Sequence, residues 1–305
     1  MTDTTANFYH IAAVGEIRYI VGVDGGGSLT RARLTSLDGS VLGYGEAGPS
    51  GLSQGVDQAL SNTSEAIARA FQAAQLSPPP EQQCAVGMGL AGTGISARSE
   101  EFVRRACDYG VLHLDSDAYT ALVGAHLGQA GAIVIAGTGS AGLARHADGR
   151  RISVGGWGFP SGDEGSGAWL GLRALCAAQQ AVDGRALVGP LARAVCEITG
   201  ATRNEMLAWE ANATQFSYAQ LAPAVFDSAA ADPKAAELLY AAATALHTLV
   251  AAMDSTNSLP ICVLGSVGRR LQPLLPEQTR VRCVEPASDA VNGAVLMIRA
   301  DLAKT

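Results

Sequence analysis

The segment Tyr19–Thr30 reads YIVGVDGGGSLT and gives the clearest indication of the fold of this chain. It begins with a β-branched run, Tyr19–Val23, which is typical of a buried strand. An acidic residue and three glycines follow, and Arg31–Leu37 then alternates apolar and polar residues as a second strand does. Asp38-Gly39 predicts a hairpin turn into a third strand at Val41–Tyr44. The chain is therefore predicted to open as strand, glycine-rich turn, strand, turn and strand.

The same pattern returns later in the chain. Ala132–Ala136 is a second buried run, and it ends in the glycine-rich turn Gly137–Ser140. Two further strand-like runs, Leu143–His146 and Arg151–Val154, flank a second Asp-Gly pair at Asp148-Gly149. Self-similarity of this kind indicates a duplicated unit. We therefore predict a duplicated α/β fold in which each copy carries a glycine-rich hairpin.

The remaining elements are predicted from hydrophobic periodicity and from capping residues. Asp232-Pro233 has the composition of an N-cap followed by the first helical residue, and the chain beyond residue 165 is mostly helical. The other predicted elements are two helices, Val56–Leu76 and Ala290 to Leu302, and three strands, Cys84–Leu90, Val111–Leu114 and Ile261–Leu264.

Composition narrows the function classes. The chain has 305 residues, a net charge of −7 and 5% aromatic residues, which argues against a nucleic-acid binder. Its 48% hydrophobic content argues against disorder. The six cysteines form no CxxC pair, so no zinc or iron–sulfur set is indicated. No signal peptide or apolar run of about 18 residues is apparent, so we expect a cytoplasmic protein without a membrane span.

Three predicted strands end in glycine-rich turns: Asp24–Thr30, Gly137–Ser140 and Gly265–Gly268. Glycine lets backbone amides approach an anion closely, and such loops form anion-binding nests. Each loop alone also fits a plain tight turn. Three of them, two within a duplicated unit, favour phosphate binding, although the chain has neither a Walker sequence nor GxGxxG.

Two acidic residues follow predicted strands, and the first, Asp24, lies where open α/β sheets place ligands. Asp24 follows a buried strand and fits either a magnesium anchor beside phosphates or a side chain that bonds the next turn. Asp117 fits either a general base or an ordinary first-turn acid, and its position alone favours the second interpretation.

The segment Gly155–Gly167 places glycines around two aromatic residues, Trp157 and Phe159, and two adjacent acids, Asp163 and Glu164. Such a loop suits contact with a sugar, and it equally suits a structural loop in which Trp157 is a plug.

Taken together, five segments resemble the N-acetylglucosamine kinase and glucosamine kinase branch of the BadF/BadG-type ATPases, within the actin-like sugar-kinase superfamily. These segments are Gly22–Thr30, Asp115–Gly128, Gly131–Gly142, Gly155–Gly171 and Leu264–Arg270. The resemblance is greatest to bacterial glucosamine kinases, around Leu114–Tyr119 and Gly124–Gly128. It implies two ribonuclease-H-like domains around a central cleft. The expected division is an N-terminal extension at 1–18, an N-terminal domain at 19–127 plus about 288–305, and a C-terminal domain at 128–287.

The resemblance also implies roles for individual residues. ATP and Mg²⁺ are the expected cofactors, and the γ-phosphate is expected to pass to the 6-hydroxyl of N-acetylglucosamine or glucosamine. Asp117 takes the place of the catalytic base, and Asp24 that of the residue that helps to hold Mg²⁺. The residues implied for the ATP phosphates and adenosine are Gly25, Gly26, Gly27, Ser28, Thr30, Gly137, Thr138, Gly139, Ser140, Gly265, Ser266 and Gly268. Those implied for the sugar are Gly156, Trp157, Gly158 and Asp163.

Two positions depart from the family pattern. Gly51 stands where many relatives have an asparagine near the sugar, and Ala91 stands where relatives have a serine. The choice among N-acetylglucosamine, glucosamine and N-acetylmuramic acid therefore stays open. Relatives suggest a homodimer. The alternatives are an activator-type ATPase that acts on a partner protein, which the scattered cysteines argue against, and a catalytically silent sugar sensor.

Overall fold

The structure, a computed structural model, describes residues 8–11 and 16–304 of the chain. The chain divides into two compact units. Unit 1 contains the described residues up to Ala130, together with Ala147–Gly149 and Pro286 onward, and unit 2 contains Gly131–His146 and Arg150–Glu285. Most of the predicted N-terminal extension at 1–18 lies outside the described residues. Its segment Phe8–Ile11 is a strand of unit 1.

Unit 1 is a six-stranded mixed sheet in the order β1-β6-β5-β2-β3-β4. Its strands are β1 (Phe8–Ile11), β2 (Tyr19–Gly25), β3 (Thr30–Thr35), β4 (Val41–Ala47), β5 (Cys84–Leu90) and β6 (Val111–Ser116). Strands β2, β5 and β6 run parallel, whereas β1, β3 and β4 pair antiparallel with their neighbours. Its helices are α1 (Val56–Ala73), α2 (Ser96–Arg105), α3 (Asp117–Ala125) and, from the end of the chain, α12 (Ala290–Leu302).

The two faces of this sheet are buried differently. Residues of α1 and α2 such as Phe71 and Phe102 belong to the larger core. On the other face α12 lies directly on the strands, because Gly22 and Gly87 have no side chain to hold it away. A Cβ at Gly22 would stand 2.4 Å from the Val291 carbonyl oxygen, and one at Gly87 would stand 2.2 Å from that of Ala294. The last helix of the chain thus completes the first unit.

Helix α1 ends at Ala73, three residues before the predicted end at Leu76. Gln75 adopts a left-handed conformation with φ of 58°, and the Leu76 amide donates back to the Phe71 carbonyl at 3.0 Å. This is a common way for a helix to close its last turn. Apolar periodicity continued past that turn, so the sequence-based boundary was too late.

Unit 2 is a four-stranded sheet in the order β10-β7-β8-β9, with helices making up most of its remaining residues. Its strands are β7 (Gly131–Ala136), β8 (Ser140–Arg145), β9 (Arg151–Gly155) and β10 (Ile261–Leu264). Its helices are α4 (Gly167–Val182), α5 (Pro190–Thr199), α6 (Arg203–Asn212), α7 (Gln215–Ala219), α8 (Ala222–Ser228), α9 (Pro233–Met253), α10 (Ser266–Leu271) and α11 (Glu277–Arg280). The predicted N-cap is confirmed, because Asp232 accepts the Lys234 amide at 2.9 Å.

The predicted duplication is visible in the strand pairing. In each unit two successive antiparallel hairpins, β2-β3-β4 and β7-β8-β9, begin with a strand that also pairs in parallel with another strand, β5 or β10. In each unit a glycine-rich loop joins the first two strands of this arrangement. The mixed α/β class and the two-sheet organisation predicted from the sequence are confirmed.

Helix α9 corrects the expectation that the chain has no apolar run of about 18 residues. It is long and apolar enough, by length and composition alone, to cross a membrane. It is also a core helix of unit 2, with Leu238, Leu246 and Val250 buried. Core helices of this kind pass the same test, so this one helix is weak evidence for a membrane span.

Candidate active site

The first glycine-rich loop connects β2 to β3 in unit 1. The Gly26 amide donates to the Leu29 carbonyl, and the Gly26 carbonyl accepts the amides of Ser50 and Gly51 at 3.1 and 3.0 Å. A Cβ at residue 25 would lie 1.9 Å from Ser50 Oγ, so only glycine fits there. A Cβ at Gly26 would meet nothing within 4 Å. The loop is therefore fixed from one side and open to a ligand at its second glycine.

The two hydroxyls predicted to contact phosphates in this loop differ in exposure. Ser28 is exposed, whereas Thr30 is completely buried. The Thr30 hydroxyl lies 2.6 Å from the Gly48 carbonyl and 2.7 Å from Ser50 Oγ. Thr30 therefore supports the loop from behind in this structure, and its hydroxyl is not presented to a ligand.

Asp24 precedes this loop, at the carboxyl end of β2. Its Oδ2 lies 2.5 Å from Nη2 of Arg31, which is the residue opposite Asp24 on the antiparallel strand β3. Burial raises the pKa of Asp24, the bond from Arg31 opposes that rise, and the charge of Asp289 adds to it. Asp289 in turn pairs with Arg33 at 2.9 Å. The end of the sheet thus holds alternating acidic and basic groups.

Asp117 begins α3, directly after β6. The preceding residue, Ser116, is the N-cap and accepts the Tyr119 amide at 3.1 Å. Asp117 Oδ1 accepts the Ala118 amide at 2.8 Å. Burial raises the pKa of Asp117, and the charge of Asp24 raises it further. A carboxyl group with a raised pKa is a stronger base once ionised, as general-base chemistry requires.

The acidic end of unit 1 suits a magnesium ion that is held mainly by a nucleotide. Mg²⁺ prefers one or two carboxylates together with waters and phosphate oxygens. Asp24 offers one carboxylate, which Arg31 neutralises in this structure. Among residues 8–11 and 16–304 no three His, Cys, Asp or Glu side chains form a complete metal site. The residues present therefore fit Mg²⁺ that arrives with phosphate ligands.

The second glycine-rich loop joins β7 to β8 in unit 2. The Gly137 amide donates to the Gly139 carbonyl, and the Gly137 and Thr138 carbonyls accept the Gly167 and Ala168 amides at 2.8 and 3.1 Å. A Cβ at Gly137 would meet nothing within 4 Å. This loop resembles the first one in two respects. Its carbonyls accept hydrogen bonds from the backbone at the start of α4, and the space beside its first glycine is free for a ligand.

The loop Gly155–Gly165 approaches the second glycine-rich loop through Asp163. The Asp163 side chain is buried, its Oδ1 accepts the Ser140 amide at 3.3 Å, and its Oδ2 accepts Nε2 of Gln215 at 2.7 Å. The Ser140 hydroxyl donates to the Glu164 carbonyl at 2.7 Å. The contact of Asp163 with the second glycine-rich loop was not expected from the sequence.

The neighbouring predicted sugar contacts are more open. Trp157 is 85% exposed, and Gly156 and Gly158 on either side of it have φ values of 69° and 86°. These left-handed conformations suit glycine and hold Trp157 out from the loop. The side chain is therefore not the buried plug that one interpretation of the sequence suggested.

A cavity of about 330 Å³ lies beside the second and third glycine-rich loops in unit 2. Of the third loop, Ser266 and Val267 line the cavity, whereas Gly265 and Gly268 pack against Ala136 of β7. Its walls also include residues that the sequence analysis did not identify: Phe216, Ala219, Gln220, Ala222, Pro223, Phe226 and Arg270. These residues come from α7, α8 and α10 and from Gln220, which follows α7. Apart from Arg270, which ends the segment Leu264–Arg270, they share no local sequence pattern that could have identified them.

One wall of this cavity is held by a charged and aromatic contact. The Arg270 guanidinium lies 4.0 Å from the centre of the Phe226 ring, and it also pairs with Asp227 at 2.9 Å. A cation over an aromatic face is an attractive contact. The wall is thus an organised flat surface of the kind on which a planar ring can lie.

Two sheets of related topology, each with a glycine-rich loop between its first two hairpin strands, define an α/β fold of the actin-like ATPase class. The chain belongs to the BadF/BadG/BcrA/BcrD ATPase family, whose model matches residues 21–297.

Individual relatives are similar over most of the chain. Glucosamine kinase GspK of Vibrio cholerae is 36% identical over 281 residues, which are 92% of this chain and 95% of the relative. An N-acetylmuramic acid/N-acetylglucosamine kinase of Clostridium acetobutylicum is 35% identical over 178 residues, 55% of this chain and 56% of that protein. A solved structure from Chromobacterium violaceum, assigned as an N-acetylglucosamine kinase, has a TM-score of 0.86 and 43% identity, and the match covers 92% of this chain and 99% of that one.

Proposed function

We propose that the protein is an ATP-dependent amino-sugar kinase that transfers the γ-phosphate of ATP to the 6-hydroxyl of N-acetylglucosamine or glucosamine. The observation that carries this proposal is Asp117, a half-buried carboxylate that begins α3 directly after β6 and whose pKa is raised by burial and by the charge of Asp24. The relatives named as glucosamine and N-acetylglucosamine kinases support the choice of acceptor.

The nucleotide is proposed to use the glycine-rich loops. The open glycines, Gly26 and Gly137, let phosphate oxygens reach backbone amides, with Gly25, Gly27, Ser28, Thr138, Gly139 and Ser140 completing the two loops. The cavity in unit 2 is large enough for a nucleotide base, and Ser266 with its loop would lie against the adenosine. Thr30 and Gly268, which are buried, and Gly265, which packs against Ala136, are proposed to support these loops from behind.

Asp24 is proposed to help to hold Mg²⁺, which supplies positive charge to the phosphates when it is bound. The protein's own contribution is to position the Asp24 carboxylate. Arg31 is paired with this carboxylate and has to be displaced from it when a metal ion binds. Phosphoryl transfer depends mainly on such positioning and charge stabilisation.

Asp117 is proposed to act as general base. Its carboxylate takes the proton of the sugar 6-hydroxyl as that oxygen bonds to the γ-phosphorus, and the bond from phosphorus to the β,γ-bridging oxygen breaks to release ADP. Gly156, Trp157, Gly158 and Asp163 are the proposed sugar contacts. A remaining lone pair of Asp163 would accept a hydrogen bond from a sugar hydroxyl, because a carboxylate can accept about four hydrogen bonds.

The first experiment measures ADP release by purified protein with Mg·ATP, without sugar, with N-acetylglucosamine and with glucosamine. Strong stimulation by one sugar is expected, and it would also identify the preferred substituent at carbon 2. Sugar-independent hydrolysis would favour an activator-type ATPase, and sugar binding without turnover would favour a sensor. The cytoplasmic location and the homodimer stay predictions.

A further inference from the structure

A chain of two hydrogen bonds connects helix α7 to the second glycine-rich loop. Gln215, the first residue of α7, donates from Nε2 to Asp163 Oδ2 at 2.7 Å. The other carboxylate oxygen, Oδ1, accepts the backbone amide of Ser140 at 3.3 Å. One oxygen of the Asp163 carboxylate is therefore held by Gln215, and the other holds the end of the second glycine-rich loop.

The carboxylate at the centre of this chain is confined. Asp163 is 5% exposed, and a buried carboxylate needs hydrogen-bond donors in place of the water it has lost. A Cβ at Gly139 would lie 2.8 Å from Asp163 Oδ2, so the carboxylate packs directly against the loop. A displacement of Asp163 therefore has to displace the loop or open a gap beside it.

Helix α7 is itself a wall of the cavity and is held in two further ways. Phe216 and Ala219 line the cavity. Tyr218 packs against Phe159, with ring centres 5.0 Å apart, and Gly171 of α4 approaches the Tyr218 carbonyl so closely that a Cβ there would lie 1.8 Å from it. Helix α7, only five residues long, thus forms part of the wall of the unit 2 cavity and supports the second glycine-rich loop.

We propose that Gln215 is a positioning residue for nucleotide phosphates: by holding Asp163 it fixes the Ser140 end of the loop Gly137–Ser140 in its binding geometry. This inference rests on the proposed function only in assuming that the loop binds phosphates. It predicts that loss of the Gln215 donor weakens the binding of phosphate groups and leaves the binding of the base unchanged.

The experiment compares the binding of ADP and adenosine by calorimetry at pH 8 in wild-type protein, Gln215→Met and Gln215→Glu. Methionine keeps the length of the side chain without a donor. Glutamate keeps the shape of glutamine and sets a second carboxylate against Asp163. Gln180→Met, at an exposed position of α4, is the matched control.

The expected result is an affinity for ADP about tenfold lower in Gln215→Met, of the size that one hydrogen bond to a charged group contributes. Gln215→Glu is expected to lose more, because its carboxylate repels Asp163, whereas a purely steric role would leave this isosteric variant like wild type. Adenosine affinity is expected to stay within twofold in both variants, and Gln180→Met to match wild type throughout.

Three outcomes would overturn the inference: unchanged ADP affinity in Gln215→Met, equal loss of adenosine and ADP affinity, or a loss confined to binding of N-acetylglucosamine or glucosamine. The first would make the bond dispensable, the second would indicate a disturbed cavity, and the third would place Gln215 with the acceptor. Because ADP and adenosine binding need no sugar phosphorylation, a protein that fails as an amino-sugar kinase still gives a result here.

Discussion

Asp24 and Arg31 face each other across strands β2 and β3, with Asp24 Oδ2 and Arg31 Nη2 2.5 Å apart. The Arg31 side chain is 45% exposed and that of Asp24 is 16% exposed, so the pair lies at the surface of the proposed site rather than in the core. In the proposed metal site, a cation that binds Asp24 has to displace this guanidinium. We therefore expect the ion pair to weaken the binding of a divalent cation before nucleotide binds.

Removal of Arg31 is expected to tighten metal binding in the absence of nucleotide. In Arg31→Met, a divalent cation no longer competes with a guanidinium for Asp24, and we expect roughly tenfold higher affinity, equivalent to about 1.4 kcal/mol. Titration with Mn²⁺, followed by its electron paramagnetic resonance signal, measures this. Arg69→Met, which breaks an exposed pair with Glu65, is the control. Unchanged or weaker Mn²⁺ binding would show that Asp24 is not the metal anchor.

Replacement of Asp117 is expected to remove turnover and to keep ligand binding. Asp117→Asn keeps an oxygen for the Ala118 amide but cannot accept a proton at neutral pH, and general-base help is worth about 10²–10⁴-fold in rate. Steady-state ADP release measures the loss, and calorimetry with ADP and sugar measures binding. In wild type the rate is expected to fall with acid as Asp117 is protonated, at a pH above the ordinary aspartate pKa. A variant with near-normal turnover would exclude the proposed base.

The same substitution is expected to stabilise the fold at neutral pH. The pKa of Asp117 is raised in the folded state by burial and by the charge of Asp24, so folding favours its protonated form. Such a group contributes stability below its unfolded pKa, about 4, and loses that contribution as pH rises through the folded pKa. Asp117→Asn should therefore melt above wild type at pH 7 to 8, and the difference should shrink toward pH 4. A lower melting temperature at pH 8 would contradict the raised pKa.

The first loop offers a matched pair of glycine substitutions. Gly26→Ala adds a methyl group where nothing lies within 4 Å, so we expect normal stability but a rise of several-fold in KM for ATP. Gly25→Ala places a Cβ 1.9 Å from Ser50 Oγ, so we expect destabilisation by about 1–3 kcal/mol from overpacking. Thermal melts and ATP kinetics separate the two effects. If Gly26→Ala left KM for ATP unchanged, the first loop would not be a phosphate site.

Unit 2 depends on a buried ion pair. Asp254, 1% exposed, accepts Arg282 Nη1 at 2.7 Å and the Leu259 amide at 2.8 Å. Burial opposes its ionisation, but the Leu259, Thr256 and Arg282 contacts outweigh burial and hold the pKa of Asp254 below its usual value. Asp254→Ala leaves Arg282 without its partner, and the expected loss is about 3–5 kcal/mol.

Urea unfolding at pH 7 measures this loss, with Glu237→Ala as control, because the exposed pair of Glu237 with Lys234 contributes at most about 1 kcal/mol. The contribution of Asp254 is present above its unfolded pKa and is lost as pH falls through the folded pKa. The gap between Asp254→Ala and wild type should therefore narrow in acid. Equal losses in Asp254→Ala and Glu237→Ala would contradict a buried pair.

Local sequence patterns predicted where the strands occur, although some bounds were wrong: β3 is Thr30–Thr35 rather than Arg31–Leu37, and β8 is Ser140–Arg145 rather than Leu143–His146. Strands β5 and β10 and helix α12 have the predicted bounds, because each is a buried run or an amphipathic stretch with clear flanking signals. The end of α1 was wrong, because Gln75 closes the helix through its backbone conformation rather than through a residue type that marks an end.

The duplicated hairpins, the glycines that the first loop needs and the acids that follow strands could all be predicted, since they depend on residues next to one another in the chain. Folding brings Asp163 against both Ser140 and Gln215, and it brings Phe216, Phe226 and Arg270 around one cavity. Gln215 is 52 positions from Asp163, and their contact exists only because α7 packs against α4. Packing of distant helices leaves no periodic signal in the sequence, and so the support of the proposed phosphate loop could be found only in the fold.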